Sequence, residues 1–304
     1  MSSITRSAVF ALSLFTVLPA FAQDNNPLAA PPSEGSSGSQ TVIVGSADFP
    51  ESQLLATIYA KALQADGLEV QTRLNIGSRE VYIPALLDGS IDLLPEYAGA
   101  LLSYFDKDSS AHAPAEVTEA LGKALPDGIT MLTPSDAQNS DTLSVTRATA
   151  NEYNLTTIED LKPVAGEMVV GAPPEWRTRH EGLAGLQEVY GIDFQSMKPL
   201  DVGGPLTVSA LANGQVQAAN LFSTDPAIAE NDFVALEDNR NLFSAQNIVP
   251  VINESKLTDE IQSVLDEVSE KLTTEDLVVM NGRLANHEGY DAVAEDWLSE
   301  NGMN

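Results

Sequence analysis

The chain has 304 residues, contains no cysteine, and carries 44 acidic against 15 basic side chains, which gives a formal net charge of -29. This length is enough for one large domain or two lobes with a sizeable core, and without cysteines there are no disulfides, thiolate metal sites or lipid-modified cysteines. Because so negative a surface repels phosphate backbones, we expect no nucleic-acid partner.

The first 22 residues have the features of a secretory signal peptide. Arg6 precedes an apolar run from Ala8 to Leu18, and Ala20-Phe-Ala22 forms a small-residue cleavage site. The apolar run is shorter than the roughly 20 residues needed to span a bilayer. We therefore predict cleavage after Ala22 and release into the periplasm without a lipid anchor. Residues 23–40 are rich in Pro, Ser, Gly and Ala and predict a flexible linker.

From Thr41 onward, short apolar runs alternate with amphipathic stretches, a pattern that indicates parallel α/β sheets. In the first half we predict strands at 41–46, 68–74, 91–94, 129–132 and 142–146, and helices at 51–65, 78–88 and 116–125. In the second half we predict strands at 168–172, 217–222, 233–236 and 248–252, and helices at 183–190, 258–272, 275–285 and 290–301.

Residues 168–172 repeat the strand-then-glycine arrangement of residues 42–46, which indicates two similar α/β halves. We predict that lobe 1 comprises residues 41–143 and 250–304, and that lobe 2 comprises residues 144–249. Ligands in such folds sit at the carboxyl ends of strands. Candidate binding residues are therefore sought where predicted strands end.

The segment Gly89 to Ala100 holds the first candidate. The strand at 91–94 ends at Pro95, which has no N–H for a ladder, and Glu96, Tyr97 and Gly99 follow. An acidic side chain, a ring and a glycine after a buried strand are typical of a ligand site. Taken alone, Tyr97 could equally be an ordinary half-buried ring.

Two arginines, Arg177 and Arg179, lie between a strand end and a helix in a chain with few cations. A guanidinium matches a carboxylate in two parallel hydrogen bonds, so Arg179 is a candidate for binding a ligand's carboxylate, with Arg177 second. An ion pair with Glu175 or Glu181 explains the same spacing as well.

A third segment places Phe222 and then Ser-Thr-Asp at the end of the predicted strand 217–222. The hydroxyl of Thr224 can point into a cleft, while Asp225 can cap the next helix. Capping alone would account for this cluster without a ligand.

Signs of catalysis are missing from the sequence. It has no Gly-x-Ser-x-Gly elbow, no dinucleotide or phosphate-binding glycine loop, and its three histidines share no ligand spacing. Adjacent carboxylates such as Glu159 and Asp160 are expected by chance in so acidic a chain. We predict a protein that is not an enzyme and has neither a metal nor a cofactor.

Four separated motifs in this sequence resemble those of bacterial osmoprotectant-binding proteins, the soluble receptors of glycine betaine, carnitine and choline ABC importers. The motifs are Gly45-Ser-x-x-Phe49-x-Glu51, Pro95-Glu-Tyr97, Glu175-Trp-x-x-Arg179 followed by Gly182-Leu, and Phe222-Ser-Thr-Asp225. The resemblance implies an α/β periplasmic binding protein of type II, a venus flytrap with crossing hinge strands that closes over an osmolyte. It also implies transmembrane permease subunits as partners, and we expect a monomer.

Carried over by position, the family's cage aromatics match Tyr97 and Phe222, and its arginine matches Arg179. Two other ring positions fall on Asp141 and Val208, so the resemblance implies a reduced aromatic cage. Asp141 can pair directly with a cation, which would favour choline-like molecules over betaine. The polar candidates for ligand binding are Ser46 and Gln53, which lie near Ala47 in the sequence, and Thr224.

Two other functions stay open at this point. A receptor for a different small zwitterionic solute, such as an amino acid, is favoured by the reduced cage. An exported enzyme on a similar two-lobed scaffold is the alternative from another class, and the sequence offers it no nucleophile, metal cluster or cofactor loop.

Overall fold

The computed structural model describes residues 41–303, and the predicted signal peptide and linker lie outside these residues. The strands are β1 Val42–Gly45, β2 Val70–Arg73, β3 Leu93–Tyr97, β4 Ile129–Met131, β5 Asp141–Thr146, β6 Val169–Ala172, β7 Ser196–Pro199, β8 Ala218–Phe222, β9 Phe233–Ala235 and β10 Ile248–Asn253. The helices are α1 Pro50–Ala65, α2 Arg79–Leu87, α3 Ala98–Phe105, α4 Pro114–Ala124, α5 Arg147–Tyr153, α6 Leu183–Gly185, α7 Pro205–Ala212, α8 Pro226–Glu230, α9 Asp259–Lys271, α10 Thr274–Ala285 and α11 Tyr290–Glu300.

Within these residues the strands form two five-stranded sheets with the same plan. The first sheet has the order β2-β1-β3-β10-β4 and the second has the order β7-β6-β8-β5-β9. In each sheet four strands run in the same direction, and the strand in fourth place, β10 or β5, runs antiparallel to both of its neighbours. The predicted α/β fold with two similar lobes is confirmed; we call the part built on the first sheet the first lobe and the other part the second lobe.

The chain passes between the lobes in the two segments that lead into the antiparallel strands β5 and β10. The segment that leads into β5 and the segment that leads into β10 lie side by side, since Gln138 and Asn247 form an antiparallel bridge and the amide of Ile248 donates to the carbonyl of Ala137 at 3.0 Å. These paired segments are the crossing hinge strands expected from the sequence. The predicted lobe limits, at 143/144 and 249/250, fall within β5 and β10.

Pro95 does not end its strand, contrary to the sequence-based expectation. β3 continues through Pro95 to Tyr97, and Pro95 faces Pro250 of β10 in the antiparallel register. Because neither proline has an N–H, this pair occupies a position where facing residues exchange no hydrogen bonds. The strand therefore carries Glu96 and Tyr97 to its carboxyl end.

Helix α1 fixes the position of the loop that follows β1. Pro50 occupies its first turn, where the missing N–H costs nothing, and Leu54, Leu55, Ile58 and Leu63 are buried in the core of the first lobe. Each such side chain contributes about 1.5–3 kcal/mol when fully buried. The position of the residues just before and after Pro50 is thus set by the core.

The sequence missed several elements that lie near the surface or are short. These are β7, whose only buried residue is Met197, and the helices α3, α5, α7 and α8. The helix predicted at 183–190 is α6 followed by a π-helical turn over Leu186–Tyr190. Among the described residues, no helix has the length and the apolar composition needed to cross a membrane.

Candidate functional site

A cavity lies between the lobes at the carboxyl ends of several parallel strands, where ligands sit in this class of fold. The first lobe contributes the loop from β1 to α1, the start of α2 and the end of β3. The second lobe contributes the segment after β6 and the end of β8, and the hinge segments complete the lining. A molecule bound here contacts both lobes and so favours the closed form.

Three aromatic rings from both lobes form one wall of the cavity. Phe49 lies between Tyr97 of the first lobe, at 5.8 Å between ring centroids, and Phe222 of the second lobe, at 6.0 Å. The rings of Phe49 and Phe222 are stacked, with an interplanar angle of 14°. The structure thus brings the two predicted rings, Tyr97 and Phe222, to the same cavity and adds Phe49 between them.

Gly203 also packs closely against the ring of Phe222. This residue has a φ of 63°, and a Cβ built on it would lie 2.8 Å from the Cδ2 atom of Phe222. Only glycine allows the loop to approach the ring this closely with that backbone conformation. The Phe222 ring is therefore held in place before any ligand arrives.

Tyr82 and Trp176 also line the cavity, so its aromatic lining is larger than the two rings counted from the sequence. Trp176 is buried, and its indole Nε1 has no hydrogen-bond partner among the described residues; the same holds for the Nε2 atom of Gln246. A buried donor without a partner is costly, so these groups favour a ligand or a water molecule that can accept from them.

Arg79 is a cavity residue that the sequence did not reveal. Its guanidinium donates to both carboxylate oxygens of Glu96, at 2.8 and 2.9 Å, and the hydroxyl of Tyr82 donates to the same carboxylate at 2.8 Å. Glu96 is fully buried, and both of its partners are at least nine-tenths buried. The charge of Arg79 is thus already neutralised within the first lobe.

Arg179 lines the cavity as predicted, but it is paired with a residue of the opposite lobe. Its Nε and terminal nitrogen donate to the two carboxylate oxygens of Glu80 on α2, at 3.1 and 2.9 Å, while Glu175 is more distant at 3.9 Å. Burial alone would raise the pKa of Glu80, but the hydrogen bonds from Arg179 and Ser78 outweigh it and lower the pKa to about 2. Arg179 therefore joins the two lobes.

Asp141 lies at the start of β5 and accepts a hydrogen bond from the Nδ2 atom of Asn220 at 2.8 Å. Burial and then the charge of Glu181 raise the pKa of Asp141 to about 6, although Asn220, Arg179 and Arg79 act in the opposite direction. Glu181 is itself buried, and its Oε1 has no hydrogen-bond partner among the described residues. Two neighbouring carboxylates thus face the cavity.

The lining as a whole is acidic. It contains four carboxylates, from Asp48, Asp141, Glu175 and Glu181, against two guanidinium groups, and both of the latter are paired with glutamates. A positively charged ligand is therefore favoured over an anion.

Ser46 and Gln53 do not lie on this lining. The Ser46 hydroxyl donates to the carbonyl of Ala47 and accepts from the amide of Asn75, both at 2.9 Å, so it shapes the loop from β1 to α1. Gln53 lies on α1, and its carbonyl accepts from the hydroxyl of Thr57 at 2.7 Å. A direct ligand contact by either residue stays a prediction.

Thr224 follows Phe222 in the second lobe and contacts the first lobe. Its hydroxyl donates to Oε2 of Glu51 on α1 at 2.7 Å. Glu51 Oε1 accepts from the hydroxyl of Tyr97 at 2.8 Å. Burial and then the charge of Glu51 raise the pKa of Tyr97 well above its ordinary value, so its hydroxyl keeps the proton it donates.

Comparison with known proteins identifies relatives across nearly the whole described chain. The family of the substrate binding domain of ABC-type glycine betaine transport systems matches residues 40–300. A carnitine transport binding protein of Listeria monocytogenes is 26% identical over 281 residues, which cover 89% of this chain and 90% of the relative. The glycine betaine-binding protein YehZ of Escherichia coli K12 is 28% identical over 277 residues, which cover 86% and 90%.

A crystal structure of a glycine betaine/carnitine/choline ABC transporter protein has the same fold. It superposes with a TM-score of 0.69 at 23% identity, over 86% of this chain and 99% of the other. This likeness agrees with the two sheets and the crossing strands described above.

Proposed function

Because the chain belongs to the family of substrate-binding domains of ABC-type glycine betaine transport systems, we propose that it binds a quaternary-ammonium osmoprotectant between its lobes. The observation that carries this proposal is the wall formed by Tyr97, Phe49 and Phe222, which faces an acidic cavity. A quaternary ammonium has no N–H to donate, so ring faces within about 6 Å are its natural partners, each contributing about 2 kcal/mol when desolvated.

Within this ligand class, the charges of the cavity favour choline over glycine betaine. A betaine carboxylate is bound best by a free guanidinium, but Arg79 is paired with Glu96 and Arg179 with Glu80, and only the uncharged donors of Trp176 and Gln246 are unpaired on the lining among the described residues. Choline carries no carboxylate, and its hydroxyl can donate to the unpaired Oε1 of Glu181. We therefore propose the order choline, carnitine, glycine betaine for decreasing affinity.

Calorimetric titration of the mature chain with choline, carnitine, glycine betaine and ectoine tests this function. Choline is expected to bind most tightly, and Tyr97→Ala and Phe222→Ala are each expected to weaken it at least about tenfold. The melting temperature of Phe222→Ala should stay within a few degrees of the wild type, whereas Tyr97→Ala also removes a buried ring and a hydrogen bond to Glu51 and should lower it further. Absence of heat with all four compounds would contradict the proposed function.

A receptor for another small zwitterionic solute, such as an amino acid, is the second candidate. The presence of Arg179 and Arg79 on the lining favours it, provided that a ligand carboxylate can displace Glu80 from Arg179. Mass spectrometry of small molecules released from the freshly purified protein separates the two: a quaternary ammonium supports the first candidate and an amino acid the second.

Family members are substrate-binding proteins outside the cytoplasm, and they serve ABC importers. For this chain we propose cleavage after Ala22, a monomer in the periplasm without a lipid anchor, delivery of the ligand to transmembrane permease subunits, and no catalytic activity. The intact mass of protein from a periplasmic extract tests the first part: it should equal that of a chain beginning at Gln23, and an unprocessed or lipid-modified mass would contradict it.

A further inference from the structure

Glu51 is a buried carboxylate that accepts hydrogen bonds from four separate parts of the fold. It is 4% exposed, in the first turn of α1. Its Oε1 accepts from the Tyr97 hydroxyl at 2.8 Å and from Asn139 Nδ2 at 2.7 Å. Its Oε2 accepts from the Thr224 hydroxyl at 2.7 Å and from Asn281 Nδ2 at 2.6 Å. All four donors are uncharged.

No ion pair among the described residues involves Glu51. A carboxylate buried without a cation is costly unless hydrogen-bond donors surround it. The four uncharged donors and the positive end of the α1 dipole supply that compensation. Loss of any one of these hydrogen bonds therefore raises the free energy of the buried carboxylate considerably. Glu51 is for this reason sensitive to the arrangement of its neighbours.

The four donors come from both lobes and from the hinge. Tyr97 ends β3 and Asn281 lies on α10, both in the first lobe, while Asn139 precedes β5 in the hinge and Thr224 follows β8 in the second lobe. Thr224 is further tied to the first lobe, because Asn281 Nδ2 also approaches its hydroxyl at 3.1 Å and its carbonyl at 3.3 Å. Of the four contacts, the one with Thr224 joins Glu51 to the second lobe, so it is the contact that an opening of the lobes would break.

The two carboxylate oxygens of Glu51 thus have different roles. Oε1 holds the hydroxyl of Tyr97, whose ring lines the cavity, and Oε2 holds the closing lobe through Thr224. We propose that Glu51 is a positioning residue that couples lobe closure to the orientation of the Tyr97 ring, an inference that rests on the ligand proposed above. Closure completes the coordination of the carboxylate, and the carboxylate then fixes the ring against the bound cation.

Such coupling acts mainly on ligand release. The encounter takes place with the lobes open, before Thr224 reaches Glu51, so the association rate is little affected. Release requires the Thr224 hydrogen bond to a charged acceptor to break, and bonds of this kind are the stronger ones in proteins. Removing the bond should therefore raise the dissociation rate and leave association nearly unchanged.

The decisive variant is Thr224→Val, which keeps the shape of the side chain and removes its donor. Stopped-flow measurement of tryptophan fluorescence with choline should show a dissociation rate about tenfold above wild type, with the association rate within about threefold. Thr224→Ser should restore the wild-type rate because it restores the hydroxyl. Thr118→Val is the matched control, since within the described residues the Thr118 hydroxyl bonds only to the carbonyl of Pro114 in its own helix, at 2.8 Å.

Tyr97→Phe tests the coupling itself, because it keeps the ring and removes only the hydroxyl. In the Tyr97→Phe background, Thr224→Val should raise the dissociation rate by about threefold or less, since closure no longer sets the ring. If the factors by which the two substitutions raise the dissociation rate simply multiply in the double variant, the coupling is contradicted. If Thr224→Val releases choline at the same rate as Thr118→Val, the role of Glu51 is contradicted. If the wild-type protein binds none of the four compounds, the proposed function fails and this inference fails with it.

Discussion

Two arginine–glutamate pairs flank the cavity, and they differ in burial and in the lobes that they join. Arg79 and Glu96 lie in the first lobe with 8% and 0% of their side chains exposed, whereas Arg179 and Glu80 link the lobes with 24% and 47% exposed. A buried pair stays together because either charge alone would be desolvated. A solvent-accessible pair can open at little cost. The first-lobe wall is thus fixed, while Arg179 can exchange its partner.

Replacing each arginine in turn should separate the two pairs most clearly. Arg79→Met leaves the carboxylate of Glu96 buried without a cation and should lower the free energy of unfolding by about 3–5 kcal/mol. Arg179→Met is the matched variant and should lower the free energy of unfolding by less than about 1 kcal/mol. Chemical denaturation measures both, and equal losses would show that the difference in burial does not matter.

The pH dependence of choline binding probes Asp141, which is influenced by both arginines. With a pKa of about 6, Asp141 gains a proton as the pH falls from 7 to 5, so choline affinity should drop by about tenfold. The effect on the free energy of unfolding has the opposite sign. Because the pKa of Asp141 in the folded state lies above the ordinary 3.8, the folded state takes up the proton first and becomes more stable as the pH falls through 6.

Asp141→Asn is the control for this pH profile. Asparagine does not titrate, so choline affinity in this variant should be lower at pH 7 and should no longer depend on Asp141 between pH 7 and 5. A variant that retains the wild-type pH profile would assign the titration to another group.

Freeing Arg179 should have the smallest effect and should change selectivity more than stability. Glu80→Gln removes the carboxylate that holds Arg179, so glycine betaine should gain about three- to tenfold in affinity relative to choline. Glu119→Gln is a suitable control, because in the part of the chain that the structure describes Glu119 pairs only with the exposed Lys123 on α4. An unchanged ratio of the two affinities, measured by calorimetry, would mean that Arg179 does not reach a ligand carboxylate.

Sequence reasoning located the parts of the site that follow buried strands. Tyr97 and Phe222 each end a strand, so the strand-end rule makes them candidates, and the family resemblance matches both to cage aromatics. Phe49 was present in the opening motif, yet its role depends on how the core orients α1, and that orientation is not a local property of the sequence. Trp176 was likewise part of a quoted motif, but only the folded lobe shows that its indole faces the cavity.

The charged contacts were the hardest to predict because their partners are distant in sequence. The sequence offers Glu175 and Glu181 as alternatives to a ligand carboxylate for pairing with Arg179, whereas Glu80, which pairs with it across the lobes, lies 99 residues away. The donors of Glu51 include Thr224 and Asn281, which lie 173 and 230 residues away. Such pairings are set by the hinge geometry, on which local patterns carry no information.

In the proposed function, ring faces and carboxylates between the lobes bind a permanent cation. Calorimetry of choline against its neutral carbon isostere, 3,3-dimethyl-1-butanol, tests this most directly, because the two molecules have nearly the same shape and differ in charge. We predict that choline binds at least about thirtyfold more tightly. Equal affinities for the two compounds would contradict the account.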